Sequence, residues 1–136
     1  MVIGLGKTVM ELCFDISGQT AIVTGASSGL GVTFAETLAE RGVNLVIAAR
    51  RYEKLVEVAE DVSGKYGIQV VPVKADVSQE DQVINMTKTA MEKFGSIEIL
   101  VNNAGIGSLS PSVDMSLEEW KRVIDVNLTG VFLCAR

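Results

Sequence analysis

Short apolar runs alternate with longer amphipathic segments along the chain. The apolar runs are TAIVT (20–24), VNLVIAA (43–49), IQVVPV (68–73) and IEILVN (97–102). In the segments between them, apolar positions recur with the spacing of helices that bury one face. Strands that alternate with helices in this way predict an α/β fold, in which a parallel sheet carries helices on both faces.

Glycines and capping motifs mark the ends of the predicted helices. The first three helices begin near residues 30, 53 and 78, and each is expected to end at a glycine: Gly42, Gly64 and Gly95. Capping boxes, in which a serine and an acidic residue three positions later close the first turn, are predicted at Ser78 with Asp81 and at Ser116 with Glu119. The second of these opens a fourth helix.

The fourth helix is expected to run to the end of the chain, and it combines two conflicting features. Its apolar positions form an i, i+4 stripe: Trp120, Ile124, Leu128 and Phe132. Asn127, Thr129 and Gly130, however, are poor helix formers in its interior. Such residues favour a kink or a functional exposure of the backbone at this point.

Composition and charge exclude several classes of protein. The 136 residues are 48% hydrophobic and 21% charged, which is typical of one soluble globular domain. The net charge of -5 argues against nucleic acid as the main partner, because phosphate backbones require clustered Lys and Arg. No apolar stretch reaches the roughly 18 residues of a membrane span, and no metal site is predicted. No signal peptide is recognised. Cys13 and Cys134 are expected to be free thiols in a reducing cytoplasm, the alternative being a disulfide between them.

The stretch TGASSGLG (24–31) directly follows the first predicted strand and opens the first helix. A glycine turn at this position aims the unpaired backbone N–H groups of the helix at whatever lies above the strand, and a diphosphate is the usual occupant. Gly25 would permit the turn, Gly29 the approach of a phosphate, and Gly31 close packing of the helix. Thr24 and the two serines add hydroxyls. The alternative is a glycine-rich turn that binds nothing.

Two further motifs follow, NNAG (102–105) and DVNLTG (125–130). Together with TGASSGLG, their order and distances resemble the short-chain dehydrogenase/reductase family. The resemblance covers residues 14–136 and implies a Rossmann-type NAD(P)-binding domain there, after an N-terminal extension of residues 1–13. It further implies the strand order 3-2-1-4, with the chain ending inside the helix after strand 4. This order puts the topological switch point between strands 1 and 4, where both glycine-bearing loops emerge.

The resemblance implies a set of residues that bind the dinucleotide: Gly25, Ser27, Ser28, Gly29, Leu30, Gly31, Arg50, Arg51, Asp76, Val77, Asn103, Ala104 and Gly105. The glycine loop would line the diphosphate, the Asp76 carboxylate would bind the adenine ring, and the loop after strand 4 would lie beside the adenosine ribose. Asp76 has an alternative interpretation as a turn residue at a helix start. Asn127 is implied as a catalytic residue of a proton relay, the alternative being an ordinary helix-breaking asparagine.

Arg50 and Arg51, at the end of IAARR, bear on which dinucleotide is bound. An acidic residue at the end of strand 2 typically holds the ribose 2′-OH, whereas an arginine there accepts a 2′-phosphate. No acidic residue stands at Ala48 or Ala49, and a guanidinium suits a phosphate dianion. NADP(H) is therefore favoured over NAD(H), although Ser28 stands where some NADP-preferring relatives carry a basic residue. Alternatively, the arginines are solvent-exposed residues at a helix start.

The groups that perform the chemistry of the family are incomplete in this sequence. The resemblance implies hydride transfer between nicotinamide and an alcohol or carbonyl substrate, with a serine and the tyrosine of a Tyr-x-x-x-Lys motif handling the proton. Tyr52 is followed four residues later by Val56, and Tyr66 by Val70, so neither forms this motif. We therefore expect the cofactor-binding half of an NAD(P)-dependent oxidoreductase, inactive alone. The alternatives are a dinucleotide-binding module without chemistry, and a fragment too incomplete to form a site.

Self-association is the remaining expectation. With nothing beyond the last helix, strand 97–102 would form an apolar sheet edge with unpaired N–H and C=O groups, which favours pairing with another chain. Members of the family also usually pair through helices, so a homo-oligomer is expected. Neither nucleic acid nor membrane is expected as a partner.

Overall fold

The computed structural model describes residues 15–136, in which four parallel strands form one sheet. The strands are β1 (Thr20–Thr24), β2 (Asn44–Ala49), β3 (Val70–Lys74) and β4 (Ile99–Val101). Their order in the sheet is β3-β2-β1-β4, which confirms the predicted order 3-2-1-4. The N-terminal extension 1–13, and Cys13 with it, lies outside the described residues.

Helices connect the strands and follow the last one. The connections contain α1 (Leu30–Glu40), α2 (Tyr52–Tyr66) and α3 (Glu80–Phe94). After β4, a loop leads into α4 (Leu117–Ile124), a π-helical segment (Asp125–Thr129) and α5 (Gly130–Ala135). Among residues 15–136, no helix is both long enough and apolar enough to cross a membrane.

The two faces of the sheet bury separate cores, because successive strand residues point to opposite faces. One core joins alternate residues of β1 and β2 to α1 and α2: Ala21, Val23, Leu45, Ile47, Ala35, Ala39, Leu55, Ala59 and Val62. The other joins the intervening residues to α3, with α5 packed against it: Ile22, Val46, Ala48, Val73, Val83, Met86, Ala90 and Leu133. The predicted covering of both faces by helices is therefore confirmed.

Two predicted helix boundaries are wrong. The second helix does not end at Gly64 but continues to Tyr66, where Gly67 adopts the left-handed C-cap with φ 70° and donates its N–H to Ser63 O. Nothing in the sequence distinguishes these two glycines, and Gly64 is simply tolerated in the helix. The third helix is not capped by Ser78, because the Ser78 hydroxyl is bonded to Asp76 and Gln79 holds the N-cap position instead.

The sheet is also shorter at β4 than the apolar run predicted. β4 covers residues 99–101 rather than 97–102. On one side, Glu98 contacts β1 with its side chain, since its Oε2 accepts a hydrogen bond from Thr20 N at 2.8 Å. On the other side, Asn103 N donates to the Thr24 hydroxyl at 3.1 Å and to Val101 O within its own chain segment at 3.0 Å, so it forms no backbone ladder bond to β1.

The stretch after β4 confirms the predicted cap and an irregularity in the last helix. Ser116 Oγ accepts a hydrogen bond from Glu119 N at 3.1 Å and so caps α4. The expected continuous helix contains the π-helical segment, which holds Asn127 and Thr129, and in it Gly130 N–H bonds to Asp125 O, five residues back. The apolar stripe is largely solvent-exposed here, with Trp120 and Phe132 at 54% and 60%.

Candidate functional site

A cleft of about 400 Å³ lies at the carboxyl ends of the strands, at the switch point of the sheet. Every residue predicted to bind the dinucleotide lines this cleft except Gly29, which lies at its edge as the N-cap of α1. Four lining residues were not predicted: Ala49, Ala75, Ile106 and Val126. Each of the first three is adjacent in sequence to a predicted residue, so their positions follow from the same loops, whereas Val126 is brought in by the π-helical segment.

The glycine loop is built for close contact. Gly29 has φ 60°, a conformation that side-chain-bearing residues avoid, and no side chain caps the N-terminus of α1 behind it. A Cβ on Gly31 would lie 2.3 Å from Gly25 O and 2.8 Å from Ala26 Cα. The first turn of α1 can therefore lie directly against the loop only because residue 31 has no side chain. The resulting helix N-terminus is open toward the cleft, as anion binding requires.

The loop after β4 is attached to the glycine loop through Thr24 and Asn103. The buried Thr24 hydroxyl donates to Val101 O at 3.3 Å and accepts from Asn103 N and Ala104 N, both at 3.1 Å. Asn103 Nδ2 in turn donates to Thr24 O at 2.9 Å and to Gly25 O at 3.3 Å. The Thr24 hydroxyl thus uses its whole bonding capacity within the fold. It holds two cleft walls together.

Arg51 forms the cationic end of the cleft. Its Nη2 donates to Ser28 Oγ at 2.7 Å and to Ser27 Oγ at 3.0 Å, so the arginine reaches across from the β2 loop to the glycine loop. Arg50 also lines the cleft, and both arginines are solvent-exposed. Neither arginine forms an ion pair among the residues that the structure describes. The two guanidinium groups are therefore available to an anion at this end.

Asp76 lies at the adenine end implied by the resemblance, and it also serves as a turn residue. Its Oδ1 accepts hydrogen bonds from Ser78 N at 3.0 Å and Ser78 Oγ at 2.7 Å, while its own N–H donates to Gln82 Oε1 at 2.8 Å. These bonds hold the loop after β3 in place. Asp76 remains half-buried and lines the cleft, so the turn function and a contact with a ligand are compatible.

Asn127 anchors the far wall of the cleft. Its Oδ1 accepts from Ile106 N at 2.9 Å and its Nδ2 donates to Ile106 O at 2.8 Å. π-Helical turns recur at functional sites, where they redirect a side chain. Next to this turn, Gly130 passes Val77 so closely that a Cβ would lie 2.7 Å from Val77 Cγ2. The π-helical segment and Gly130 thus bring the last helical stretch up to both Ile106 and Val77.

A second attachment of the same loop involves Glu119. The sequence predicts that its side chain closes a capping box, but both carboxylate oxygens accept hydrogen bonds from loop hydroxyls instead, Oε1 from Ser108 at 2.5 Å and Oε2 from Ser110 at 3.1 Å. These bonds, chiefly the one from Ser108, hold the pKa of Glu119 below its usual value. The carboxylate is therefore ionised at neutral pH.

The two remaining chemical expectations concern metals and thiols. Within residues 15–136, no group of three or more His, Cys, Asp or Glu side chains is placed to hold a metal ion. Cys134, on α5, is half-buried, and burial raises the pKa of its thiol. It lies away from the cleft, against the core that contains α3.

Comparison with known proteins defines the family. The family model for short chain dehydrogenases matches residues 19–136, and the chain belongs to this family. It is similar to an uncharacterised oxidoreductase of Thermotoga maritima, with 41% identity over 121 residues, which covers 89% of this chain and 47% of the relative. The chain thus spans about half the length of such relatives.

Solved structures give the same result. L-sorbose reductase from Gluconobacter frateurii, solved with NADPH and L-sorbose, has a TM-score of 0.86 and 35% identity over 89% of this chain and 46% of its own. A short-chain dehydrogenase/reductase from Burkholderia phymatum, solved with NAD, has a TM-score of 0.86 and 36% identity over 90% of this chain and 43% of its own. Both kinds of nicotinamide dinucleotide therefore occur among the structural relatives.

Proposed function

We propose that the chain supplies the dinucleotide-binding half of an NAD(P)-dependent oxidoreductase that transfers hydride between nicotinamide and an alcohol or carbonyl substrate. The observation that carries the proposal is the joining of the glycine loop to the loop after β4 by Thr24 and Asn103. This network forms one cleft at the switch point, where doubly wound folds bind dinucleotides. Family membership and the structural likeness to an L-sorbose reductase solved with NADPH support the same assignment.

The cleft would hold the dinucleotide by complementary groups along its length. The diphosphate would lie at the open N-terminus of α1, against Gly25, Gly29 and Gly31, where backbone N–H groups and the helix dipole favour an anion. The adenine ring would lie between the loops after β2 and β3, within reach of Asp76 and Val77. Because the positive groups are local, the net charge of -5 does not oppose binding.

NADP(H) is the proposed cofactor rather than NAD(H). Position 28 carries a serine, where some NADP-preferring relatives carry a basic residue. Arg51 places a positive charge at the same point, because its guanidinium donates to the Ser28 hydroxyl from the neighbouring loop. A 2′-phosphate at this end would meet Arg50, Arg51 and two serine hydroxyls. Since structural relatives hold either dinucleotide, the preference depends on this local chemistry alone.

The nicotinamide would supply or accept the hydride. Transfer of the alcohol proton would require a Tyr-x-x-x-Lys motif, which the 136 residues do not contain. Asn127 would act in the relay through the backbone of the π-helical segment, because its amide oxygen and its amide nitrogen both bond to Ile106. We therefore propose that the chain binds the cofactor but does not turn over substrate alone. The alternative function is a dinucleotide-binding module whose role is regulatory.

We also propose an assembly state and a location for the protein. A homo-oligomer is supported by the exposed stripe of Trp120, Leu128 and Phe132, which leaves apolar surface to be covered. A cytoplasmic location is proposed as well, and it agrees with the free thiol that Cys134 has within residues 15–136.

The proposal is tested by binding and turnover measurements together. NADPH and NADH are titrated into the chain by calorimetry, and a panel of alcohols and ketones is then offered with each cofactor. We expect saturable binding and no turnover, and turnover once the sequence that encodes a Ser and Tyr-x-x-x-Lys is joined after Arg136. A folded chain that binds neither dinucleotide would refute the function. Turnover by the 136 residues alone would refute the division of roles.

A further inference from the structure

A single carboxylate on α4 holds the loop that follows β4. Glu119 accepts one hydrogen bond at each carboxylate oxygen, from the hydroxyls of Ser108 and Ser110. Ser110 N also donates to Ser108 Oγ at 3.0 Å, which closes the two serines into one unit. All three side chains are half-buried. Charge-assisted bonds of this kind are stronger than bonds between neutral groups, so this attachment orders the loop.

The attached segment continues directly from the cleft wall. Gly105 and Ile106 line the cleft, and Asn127 bonds to both the N–H and the C=O of Ile106. The loop is therefore held twice by the last helical stretch, at Ile106 by Asn127 and at Ser108 by Glu119. Only Gly107 lies between these two points. The wall of the cleft is consequently shaped before any ligand arrives.

Ile106, which follows the residues expected beside the adenosine ribose, lies across the switch point from Arg51 and Asp76. Arg51 and Asp76 follow β2 and β3, whereas Gly105 and Ile106 follow β4, across the switch point. In doubly wound folds, a dinucleotide crosses the switch point so that its two halves lie over different strands. With the adenosine half over β2 and β3, the nicotinamide half enters beside the loop after β4.

We infer that Glu119 is a positioning residue for the nicotinamide half of the dinucleotide, acting through Ser108 and Ser110 on the cleft wall at Ile106. The inference rests on the proposed function. Glu119 itself does not line the cleft, so its effect comes from preorganisation. A loop that is already ordered does not lose further conformational freedom when the ligand binds.

The test compares two ligands that differ in the nicotinamide half. The dissociation constants of NADPH and of adenosine 2′,5′-bisphosphate are measured for the wild-type chain and for Glu119→Ala. We expect the variant to weaken NADPH binding about 3- to 10-fold, which corresponds to the cost of ordering one or two groups, and to change bisphosphate binding by less than about twofold. The Ser108→Ala/Ser110→Ala double variant should show the same pattern.

A matched control and two contrary outcomes complete the design. Glu118→Ala removes an acidic residue from the same helical turn, where Glu118 has no hydrogen bond to the loop, and should leave both affinities unchanged. Equal weakening of both ligands by Glu119→Ala would indicate a merely structural role and overturn the inference, as would unchanged NADPH affinity. Failure of the folded wild-type chain to bind either ligand is a different result, and it would overturn the proposed function together with this inference.

Discussion

Replacing Arg51 with alanine should weaken NADPH binding far more than NADH binding. Arg51 bonds to Ser27 and Ser28 in the free chain, so its guanidinium is already held where a 2′-phosphate would lie. A hydrogen bond to a charged group contributes about 1.5–3 kcal/mol, and 1.4 kcal/mol corresponds to a tenfold change in affinity. Because Arg51 is exposed and its charge is screened by solvent, we expect the lower end, about a 10-fold loss for NADPH.

Calorimetric titration of both dinucleotides into each variant measures this difference. NADH carries a neutral 2′-hydroxyl instead of the 2′-phosphate, so loss of the arginine should change its affinity by less than about threefold. Arg41→Ala is the control, since Arg41 lies at the C-cap of α1, at the other end of that helix from the cleft. Arg50→Asp should go further and make NADH the preferred ligand. Equal losses for NADPH and NADH in Arg51→Ala would refute the assignment of the phosphate to this arginine.

Three further predictions concern stability and assembly. Gly31→Ala should lower the free energy of unfolding by about 1–3 kcal/mol, because the added Cβ would clash with the backbone of the glycine loop. Gly64→Ala, inside α2 with open space around it, should raise the free energy of unfolding by about 0.5–1 kcal/mol. Chemical denaturation measures both changes. Glu119 has a lowered pKa in the folded chain, so its contribution to stability is present at neutral pH and is lost as the pH falls through that lowered value. Glu119→Gln should therefore make the free energy of unfolding depend less on pH in the acid range. An unchanged pH dependence in this range would contradict the prediction. Replacing both Trp120 and Phe132 with serine should reduce self-association in sedimentation experiments, and equal association would exclude the apolar stripe as the contact surface.

The sheet and its cleft were predictable because their signals are local and repeated. β1 and β2 lie close to the bounds that the apolar runs predicted, and Gly31 lies where a tight turn must admit a helix. The irregular last helix was also indicated, since Asn127 and Gly130 are unfavourable in a regular helix. What the residues could not specify was the π-helical form, which depends on contacts with Ile106 and Val77 elsewhere in the chain.

Apart from the end of the second helix and the length of β4, the wrong or incomplete predictions involve side chains with more than one available partner. Ser78 was assigned to a helix cap but bonds to Asp76, and Glu119 was assigned to a capping box but bonds to Ser108 and Ser110. Thr24 was expected to add a hydroxyl to the glycine loop, and this hydroxyl bonds to the loop after β4. In each case another residue bonds to the group that the local pattern assigned. Asp76 is two positions from Ser78, whereas the partners of Glu119 and Thr24 are brought close by the fold.

The central claim is that this cleft holds a nicotinamide dinucleotide with its diphosphate at the N-terminus of α1. Titration of NADP+ into the isotopically labelled chain, followed by amide NMR shifts, tests it most directly. We predict the largest shifts at Gly25–Gly31 and Asn103–Gly105, with smaller ones near Arg51 and Asp76. Shifts confined to another surface, such as that around Ile84 on α3, or no shifts in a folded chain at millimolar ligand, would contradict the claim.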